Sequence, residues 1–64
     1  MKAYKIYDRK KRFGGICFSA EENEILQELQ KAIGRIIQNA TIIKNKKGYI
    51  VRNEHFTLNI YEVN

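Results

Sequence analysis

One segment, residues 19–38, has the sequence SAEENEILQELQKAIGRIIQ and carries the pattern of a helix. Apolar residues recur in it every three or four positions, which is the spacing of an amphipathic helix. Ser19, followed three residues later by Glu22, predicts an N-terminal capping box. Gly34 interrupts the pattern at a cost of about 1 kcal/mol relative to alanine. The pattern therefore predicts one helix over about residues 20–38, packed by its apolar side against another layer.

Five shorter segments of alternating polar and apolar residues flank this helix. Two precede it and three follow it, and the intervening turns are rich in Gly, Asn and Lys. The predicted strands cover residues 3–8, 15–18, 41–44, 49–52 and 55–63. The expected fold class is α+β, a single small domain with one amphipathic helix on an antiparallel sheet. The element order is ββαβββ, or βαβββ if the first two segments form one continuous strand.

The alternation also assigns the strand residues to two faces of the sheet. The face expected under the helix carries Tyr4, Ile6, Ile16, Phe18, Ile42, Ile50, Phe56, Leu58 and Ile60. The other face is expected to carry Tyr7, Ile43, Val51, Tyr61 and Val63, with Tyr49 also toward solvent. This second face is more apolar than a fully solvated face requires, so we expect self-association, a homodimer formed across that face or across a sheet edge.

Length and composition limit the class of protein. The chain has 64 residues, which corresponds to a single domain over residues 1–64, and its one cysteine excludes an intrachain disulfide. Its mean hydropathy of −0.51 is typical of a soluble globular protein. No stretch approaches the roughly 18 consecutive apolar residues of a membrane span, and the first residues lack the apolar core of a signal peptide. We therefore expect a cytoplasmic protein without a membrane partner.

The positive charge is concentrated toward the two ends of the sequence. There are 12 basic and 7 acidic residues, a formal net charge of +5. Residues 1–18 contain six basic residues and one acidic residue, whereas residues 19–40 contain two basic and four acidic ones. The predicted helix is thus net acidic, and the excess of positive charge belongs to the strands and turns around it.

Two basic segments are the candidate site for binding DNA or RNA. Consecutive cations on a turn contact phosphates and release counterions, and a neighbouring aromatic ring can stack on a base. The candidate residues are Arg9, Lys10, Lys11, Arg12 and Phe13 in the first segment and Lys44, Lys46, Lys47 and Tyr49 in the second. The alternative is that both are solvated turns whose charge maintains solubility. If the two turns lie at opposite ends of the sheet, the case for nucleic-acid binding weakens, and the sequence does not settle that strand order.

The inventory of reactive residues argues against an enzyme. The chain contains one serine, Ser19, one histidine, His55, and one aspartate, Asp8, and Ser19 is expected to cap the helix. Cys17 lies in an apolar run, where a free cysteine is usually a small core residue. No cluster of cysteines and histidines has the spacing of a metal site, and Gly14-Gly15 lacks the spacing of a nucleotide-binding loop. We expect no catalytic residues, no bound metal and no cofactor.

The sequence therefore favours a small, basic, non-catalytic protein that binds nucleic acid as a regulator or accessory factor. The abundance of isoleucine, lysine and asparagine, which have A/T-rich codons, suggests a bacterial, phage or mobile-element origin. One alternative is a protein-interaction module, such as a phage-type inhibitor or adapter, that uses its sheet edge or its tyrosines. A second alternative is a metal-free ribonuclease that uses Arg, Lys, Tyr and His55.

Overall fold

The computed structural model describes residues 1–63 and consists of a five-stranded antiparallel sheet with one helix packed on one face. The elements, in chain order, are β1 (Lys2–Tyr7), β2 (Phe13–Ala20), a 3-10 turn (Glu22–Glu24), α1 (Ile25–Ile33), β3 (Thr41–Lys44), β4 (Gly48–Arg52) and β5 (Thr57–Val63). The α+β class and the order ββαβββ predicted from the sequence are confirmed. Each predicted strand is present, with shifts of up to two residues at its ends.

The sheet joins the two halves of the chain through its centre. The strand order is β2-β1-β5-β4-β3, so β1 pairs with β5 although they lie at opposite ends of the sequence. The β1–β2 hairpin and the β4–β3 hairpin extend the sheet on either side. This non-local pairing determines which turns and side chains become neighbours, and the pattern of a single strand does not reveal it.

The hydrophobic core lies between α1 and the sheet. Ile25 and Leu29 of α1 are buried against Val51 and Ile60, which come from the two strands β4 and β5. Burial of apolar surface is the main force that stabilises a domain of this size. The remaining buried core residues are Tyr4, Ile6, Ala20, Ile37 and Tyr49.

The helix is shorter than predicted, because the sheet takes its predicted first residues. Ser19 and Ala20 continue β2 and pair with Ala3 and Lys2 of β1, so Ser19 does not cap the helix. At the other end Gly34 has φ 74° and adopts the left-handed conformation that terminates helices, and its N–H donates to the carbonyl of Gln30 at 2.9 Å. The glycine that we expected within the helix therefore ends it.

The two faces of β4 are reversed relative to the prediction. Tyr49 pairs with Ile60 and Val51 pairs with Leu58, and directly paired residues point to the same face of a sheet. Tyr49 and Val51 are therefore buried under the helix, and Ile50 lies on the opposite face. The alternation was correct, but the single-strand pattern could not distinguish which of two apolar sets belongs to the core.

Each of the three hairpin turns begins with an Asp or Asn whose side-chain oxygen accepts two backbone N–H groups. The three residues are Asp8, Asn45 and Asn53, with the corresponding donors at 2.8–3.1 Å. Such Asx turns hold the backbone of a turn in one conformation. The backbone that carries the basic side chains of these turns is therefore held in one conformation.

Candidate nucleic-acid interface

The β1–β2 loop, residues 8–12, is organised by the carboxylate of Asp8. Its Oδ1 accepts the backbone N–H groups of Lys10 and Arg12, both at 2.9 Å, and its Oδ2 accepts the Nε–H of Arg12 at 2.9 Å. The backbone hydrogen bond from Arg12, supported by the charge of its guanidinium, lowers the pKa of Asp8 below its ordinary value of 3.8. Asp8 therefore shapes the loop and neutralises one of its four cations.

Asn59 holds this loop against the sheet. It is only 6% exposed, and its Nδ2 donates to the backbone carbonyl of Asp8 at 2.9 Å. Asn59 belongs to β5 and points to the sheet face opposite α1, which we call the open face. Because the loop is fixed there, Lys11, which adopts a positive φ of 63°, lies beside Asn59 on the open face.

Three aromatic side chains form a row across the open face. Tyr7 lies in the middle, with its ring centroid 5.5 Å from that of Phe13 and 4.8 Å from that of Tyr61. The three residues come from β1, β2 and β5, so the row crosses the strands. Phe13 is 50% exposed, which leaves much of its ring available to a ligand. We call Phe13, Tyr7 and Tyr61 the aromatic row.

Lysine side chains lie over both ends of the aromatic row. The Nζ of Lys5 is 5.4 Å from the ring centroid of Phe13, and the Nζ of Lys47 is 5.9 Å from that of Tyr61. These distances are within the range of cation–π contact. Lys46 and Lys47 also line, together with Lys11, a hollow of about 340 Å³ on the same face.

The open face carries no acidic strand residue within the described part of the chain. The strand residues that point to it are Ala3, Lys5, Tyr7, Phe13, Cys17, Ser19, Thr41, Ile43, Gly48, Ile50, Arg52, Thr57, Asn59, Tyr61 and Val63. The α1 side, by contrast, carries the acidic residues of the 3-10 turn and the helix, Glu22, Glu24 and Glu28. Residues 19–40 thus hold two more acidic than basic residues, whereas the charged strand residues of the open face are all cations.

The two basic turns lie at opposite ends of the sheet because of the directions of the strands that they connect. Side chains of the two turns nevertheless approach each other on the open face. The β3–β4 turn, residues 45–47, stops level with Tyr61, because Gly48 pairs with Tyr61 and the Glu62 N–H donates to the Lys47 carbonyl at 2.8 Å. β1 and β5 continue beyond this level. The turn thus lies partway along the sheet, and its lysines share the hollow with Lys11 from the other turn.

Two of the sequence-predicted site residues lie on the α1 side instead. Lys44 donates from Nζ to Oε1 of Glu22, whose carboxylate raises the pKa of Lys44 above its ordinary value. Tyr49 is 7% exposed within the core, and burial raises its pKa. The alternation of β3 and β4 separates these two residues from Lys47, whereas Lys46 lines both the hollow on the open face and a cavity beside Lys44 and Tyr49.

The basic run of the first turn also divides. Lys11 lies on the open face, whereas Arg9, Lys10 and Arg12 line a cavity at the end of the sheet, facing the β4–β5 turn. Phe13 is the first residue of β2 and joins the aromatic row. The candidate residues that the structure brings together on one surface are thus Lys11, Phe13, Lys46 and Lys47.

Sequence reasoning did not include four residues of this surface in the nucleic-acid site. Lys5, Tyr7 and Tyr61 contribute the centre of the row and a flanking cation, and Asn59 anchors the loop. The alternation of β1 already placed Lys5 and Tyr7 on the same face. Nothing in the sequence indicated that Asn59 would be buried beneath a loop 51 positions away.

Residues 1–63 contain neither a cluster of metal-ligating side chains nor a helix long enough to span a membrane. Within residues 1–63, His, Cys, Asp and Glu side chains do not assemble in groups of three that could hold a metal ion. The one α-helix that the structure describes, nine residues long, is too short to cross a bilayer.

Comparison of the chain with protein-family models, with curated proteins and with solved structures finds no match. The chemistry of the open face is therefore the basis for a proposed function.

Proposed function

We propose that this protein binds single-stranded nucleic acid on its open face and acts as a non-catalytic regulator or accessory factor. The observation that carries the proposal is the aromatic row with a lysine over each end, on a face without acidic strand residues among those described. Aromatic rings combined with a cationic surface are the elements by which proteins hold single strands without strong sequence preference.

Each part of the face has a specific role in this proposal. Exposed bases stack on the rings of Phe13 and Tyr61, and a base stacked on an aromatic ring contributes about 1–3 kcal/mol. The phosphates between those bases contact the lysines at the ends of the row and in the hollow beside it. These cations are Lys5, Lys11, Lys46 and Lys47, with Arg52 further along the face.

The geometry favours a single strand over a duplex. Aromatic rings on the surface of a sheet can stack only on bases that are themselves unstacked and accessible. The helix does not offer an alternative for the major groove, because α1 has nine residues, with Glu28 in its first turn and Glu22 and Glu24 in the 3-10 turn before it. Both single-stranded DNA and RNA present the bases and phosphates that this face recognises.

A salt titration with oligouridine and oligothymidine tests the proposal. With about four phosphate contacts, affinity should fall about 50-fold between 50 and 200 mM salt, because the slope for single strands is about −0.7 per contact. Tyr61→Ala should weaken binding about tenfold, whereas Tyr61→Phe should retain most of the affinity because it keeps the ring. Absence of binding at 50 mM salt would overturn the proposal.

The two other functions weighed from the sequence predict different outcomes. A protein-interaction module that uses the tyrosines would bind its partner with little dependence on salt and would not bind the oligonucleotides. A metal-free ribonuclease would cleave the RNA probe, and His55→Ala would abolish the cleavage. The same titration, followed by electrophoresis of the recovered RNA, separates all three.

We also propose that two copies associate through β2. This strand forms an edge of the sheet and contains eight residues, none of them charged and none of them proline. Proteins usually protect such edges with charge. Here a bulge at Gly14 and Gly15 interrupts only the first part, and Ile16–Ala20 stays in regular pairing with β1. Antiparallel pairing with β2 of a second copy would place both open faces on one side.

Sedimentation under reducing conditions at about 100 µM tests this association. Ser19→Lys places a charge on the exposed part of β2 and should yield a monomer. Thr41→Lys adds the same charge to β3, the opposite edge of the sheet, and should leave the dimer intact. A monomeric native protein, or a dimer that only Thr41→Lys dissociates, would contradict pairing through β2.

A further inference from the structure

A second basic surface lies at the end of the sheet, apart from the open face. It is a cavity of about 590 Å³ between the β1–β2 loop and the β4–β5 turn, and we call it the end cavity. Volumes of this order accommodate nucleotide-sized ligands. Its basic wall consists of Arg9, Lys10 and Arg12, and its opposite wall includes His55, Phe56 and Leu58.

Both walls of the end cavity are held by Asx turns. Asp8 fixes the loop that carries the cations, as described above. Asn53 accepts the backbone N–H groups of His55 and Phe56 at 2.8 and 3.1 Å, and its Nδ2 donates to the carbonyl of Gln38 at 3.0 Å. The backbone on each side is therefore in place before a ligand arrives, which reduces the entropic cost of binding.

The charge within the end cavity is unevenly paired. Arg12 is bound to Asp8, with 2.9 Å between Nε and Oδ2, and His55 faces Glu54, with 3.4 Å between Nε2 and Oε1. Arg9 and Lys10 take part in none of the ion pairs found among residues 1–63. Two cations therefore remain available to an anion, with one carboxylate, Glu54, in the opposite wall, which forms an ion pair with His55 only when the imidazole is protonated.

We infer that the end cavity binds the terminal phosphate of the nucleic-acid strand held on the open face. A terminal phosphate carries nearly two negative charges, which match the two available cations, whereas each internal phosphodiester carries one. The apolar side chains of Phe56 and Leu58 provide a wall for the sugar or base of the terminal nucleotide. This inference rests on the proposed function, because the rest of the strand must lie on the open face.

The β1–β2 loop connects the two surfaces. Tyr7 at the end of β1 belongs to the aromatic row, and the loop begins at the next residue. Within that loop Lys11 turns to the open face, while Lys10 and Arg12 on either side of it line the end cavity. A strand that stacks on Phe13 therefore needs only to pass over this loop to place its end between the two walls.

Three oligouridines of one length test the inference: one with a 5′-phosphate, one with a 3′-phosphate and one with hydroxyl groups at both ends. At 50 mM salt we expect one phosphorylated form to bind about tenfold more tightly than the hydroxyl form, through two added charge-assisted contacts. In the double variant Arg9→Ala, Lys10→Ala, the affinities for the phosphorylated and the hydroxyl forms should differ by less than about twofold. Both side chains are exposed, so the fold should be retained.

A matched variant separates a specific contact from a general effect of charge. Lys31→Ala, Arg35→Ala removes the same charge from the α1 side and should preserve the tenfold ratio. Tyr61→Ala should weaken binding of all three oligouridines and also preserve the ratio. If the hydroxyl form binds and neither phosphate improves its affinity, the end cavity is not a phosphate site, although the proposed function stands. If no oligouridine binds, the proposed function fails, and this inference fails with it.

Discussion

The side-chain amide of Asn59 donates to the backbone carbonyl of Asp8 at 2.9 Å, joining β5 to the β1–β2 loop across 51 positions of sequence. The same carbonyl accepts the backbone N–H of Lys11 at 2.9 Å. One oxygen atom thus links the central strand of the sheet to the basic loop. The position of Lys11 on the open face depends on this shared acceptor.

Asn59→Leu should destabilise the protein and weaken its binding to oligouridine. The variant removes a buried donor and leaves the Asp8 carbonyl with one partner fewer, which typically costs about 1–3 kcal/mol. Urea unfolding measures the stability, and titration at 50 mM salt should show a loss of affinity of a few-fold because the loop is no longer fixed. Thr57→Val, a change on the same strand and the same face, serves as the control and should alter both quantities much less.

Asp8→Asn should strengthen binding at low salt. The asparagine oxygen can still accept the backbone N–H groups of Lys10 and Arg12, so the turn is retained. The variant removes the negative charge that neutralises Arg12, and the cation then becomes available to a phosphate. We expect an increase in affinity of about two- to fivefold at 50 mM salt that disappears at high salt, as for one added phosphate contact. Weaker binding by a folded Asp8→Asn protein would contradict this role of Asp8.

Lys47 and Lys44 provide a matched pair, because they flank the same turn but lie on opposite faces. Lys47→Ala removes the cation over Tyr61 and should weaken binding about threefold to tenfold at 50 mM salt. Lys44→Ala causes the same change in net charge but affects a residue bound to Glu22 on the α1 side, so affinity should change by less than about twofold. Equal losses in the two variants would indicate that net charge, and not the open face, determines binding.

Gly48→Ala should be much more destabilising than Gly34→Ala. Gly48 has φ 154°, and a Cβ atom there would lie 2.0 Å from the backbone oxygen of Ile60, so the β4–β5 pairing would have to shift. Gly34 has φ 74°, but a Cβ atom would meet nothing within 4 Å. We expect about 1 kcal/mol for Gly34→Ala from its conformation alone and about 3 kcal/mol or more for Gly48→Ala. Urea unfolding of both variants measures the difference, and a smaller loss in Gly48→Ala would contradict the close approach.

Acid should destabilise the protein through two carboxylates. The backbone N–H of Arg12 lowers the pKa of Asp8 below 3.8, and the Lys44 ammonium lowers the pKa of Glu22 below 4.5. A group whose pKa is lower in the folded state stabilises it above the unfolded-state pKa and loses that contribution as pH falls through the folded-state pKa. The thermal unfolding temperature should therefore decrease as the pH is lowered below about 4.5. The Asp8→Asn, Glu22→Gln double variant should show a smaller decrease over the same pH range. An equally steep decline in that variant would contradict the assignment.

The local patterns of the sequence predicted the elements, and the long-range contacts account for what they missed. The spacing of apolar residues predicted the helix and all five strands. The helix was predicted to start too early because Ser19 and Glu22 fit a capping box, yet the pairing of Ser19 and Ala20 with Ala3 and Lys2 prevails. A pairing between distant segments overrides a local preference of about 1 kcal/mol.

The candidate site was predicted in part, for a similar reason. The sequence identified the two basic turns, and the structure brings Lys11, Lys46 and Lys47 from them onto one face. The direction of each side chain follows from turn geometry and from the face of the strand beside it. Because of this geometry, Lys44 binds Glu22 on the α1 side and Lys10 lines the end cavity. The distribution of charges along the sequence does not reveal either position.

The separation of charge between the two layers gives the molecule an electric dipole that points across the sheet. Glu22, Glu24 and Glu28 lie in the helical layer, whereas Lys5, Lys11 and Lys47 lie on the open face. In the electric field of a polyanion such a molecule rotates so that its open face points to the polyanion before contact. More of the collisions then lead to binding, and the association rate increases. Once bound, it presents the helical layer outward, where Glu22 is paired with Lys44 and Glu28 with Lys31. A strand coated by this protein would therefore show an outer surface with little free positive charge to attract a second strand.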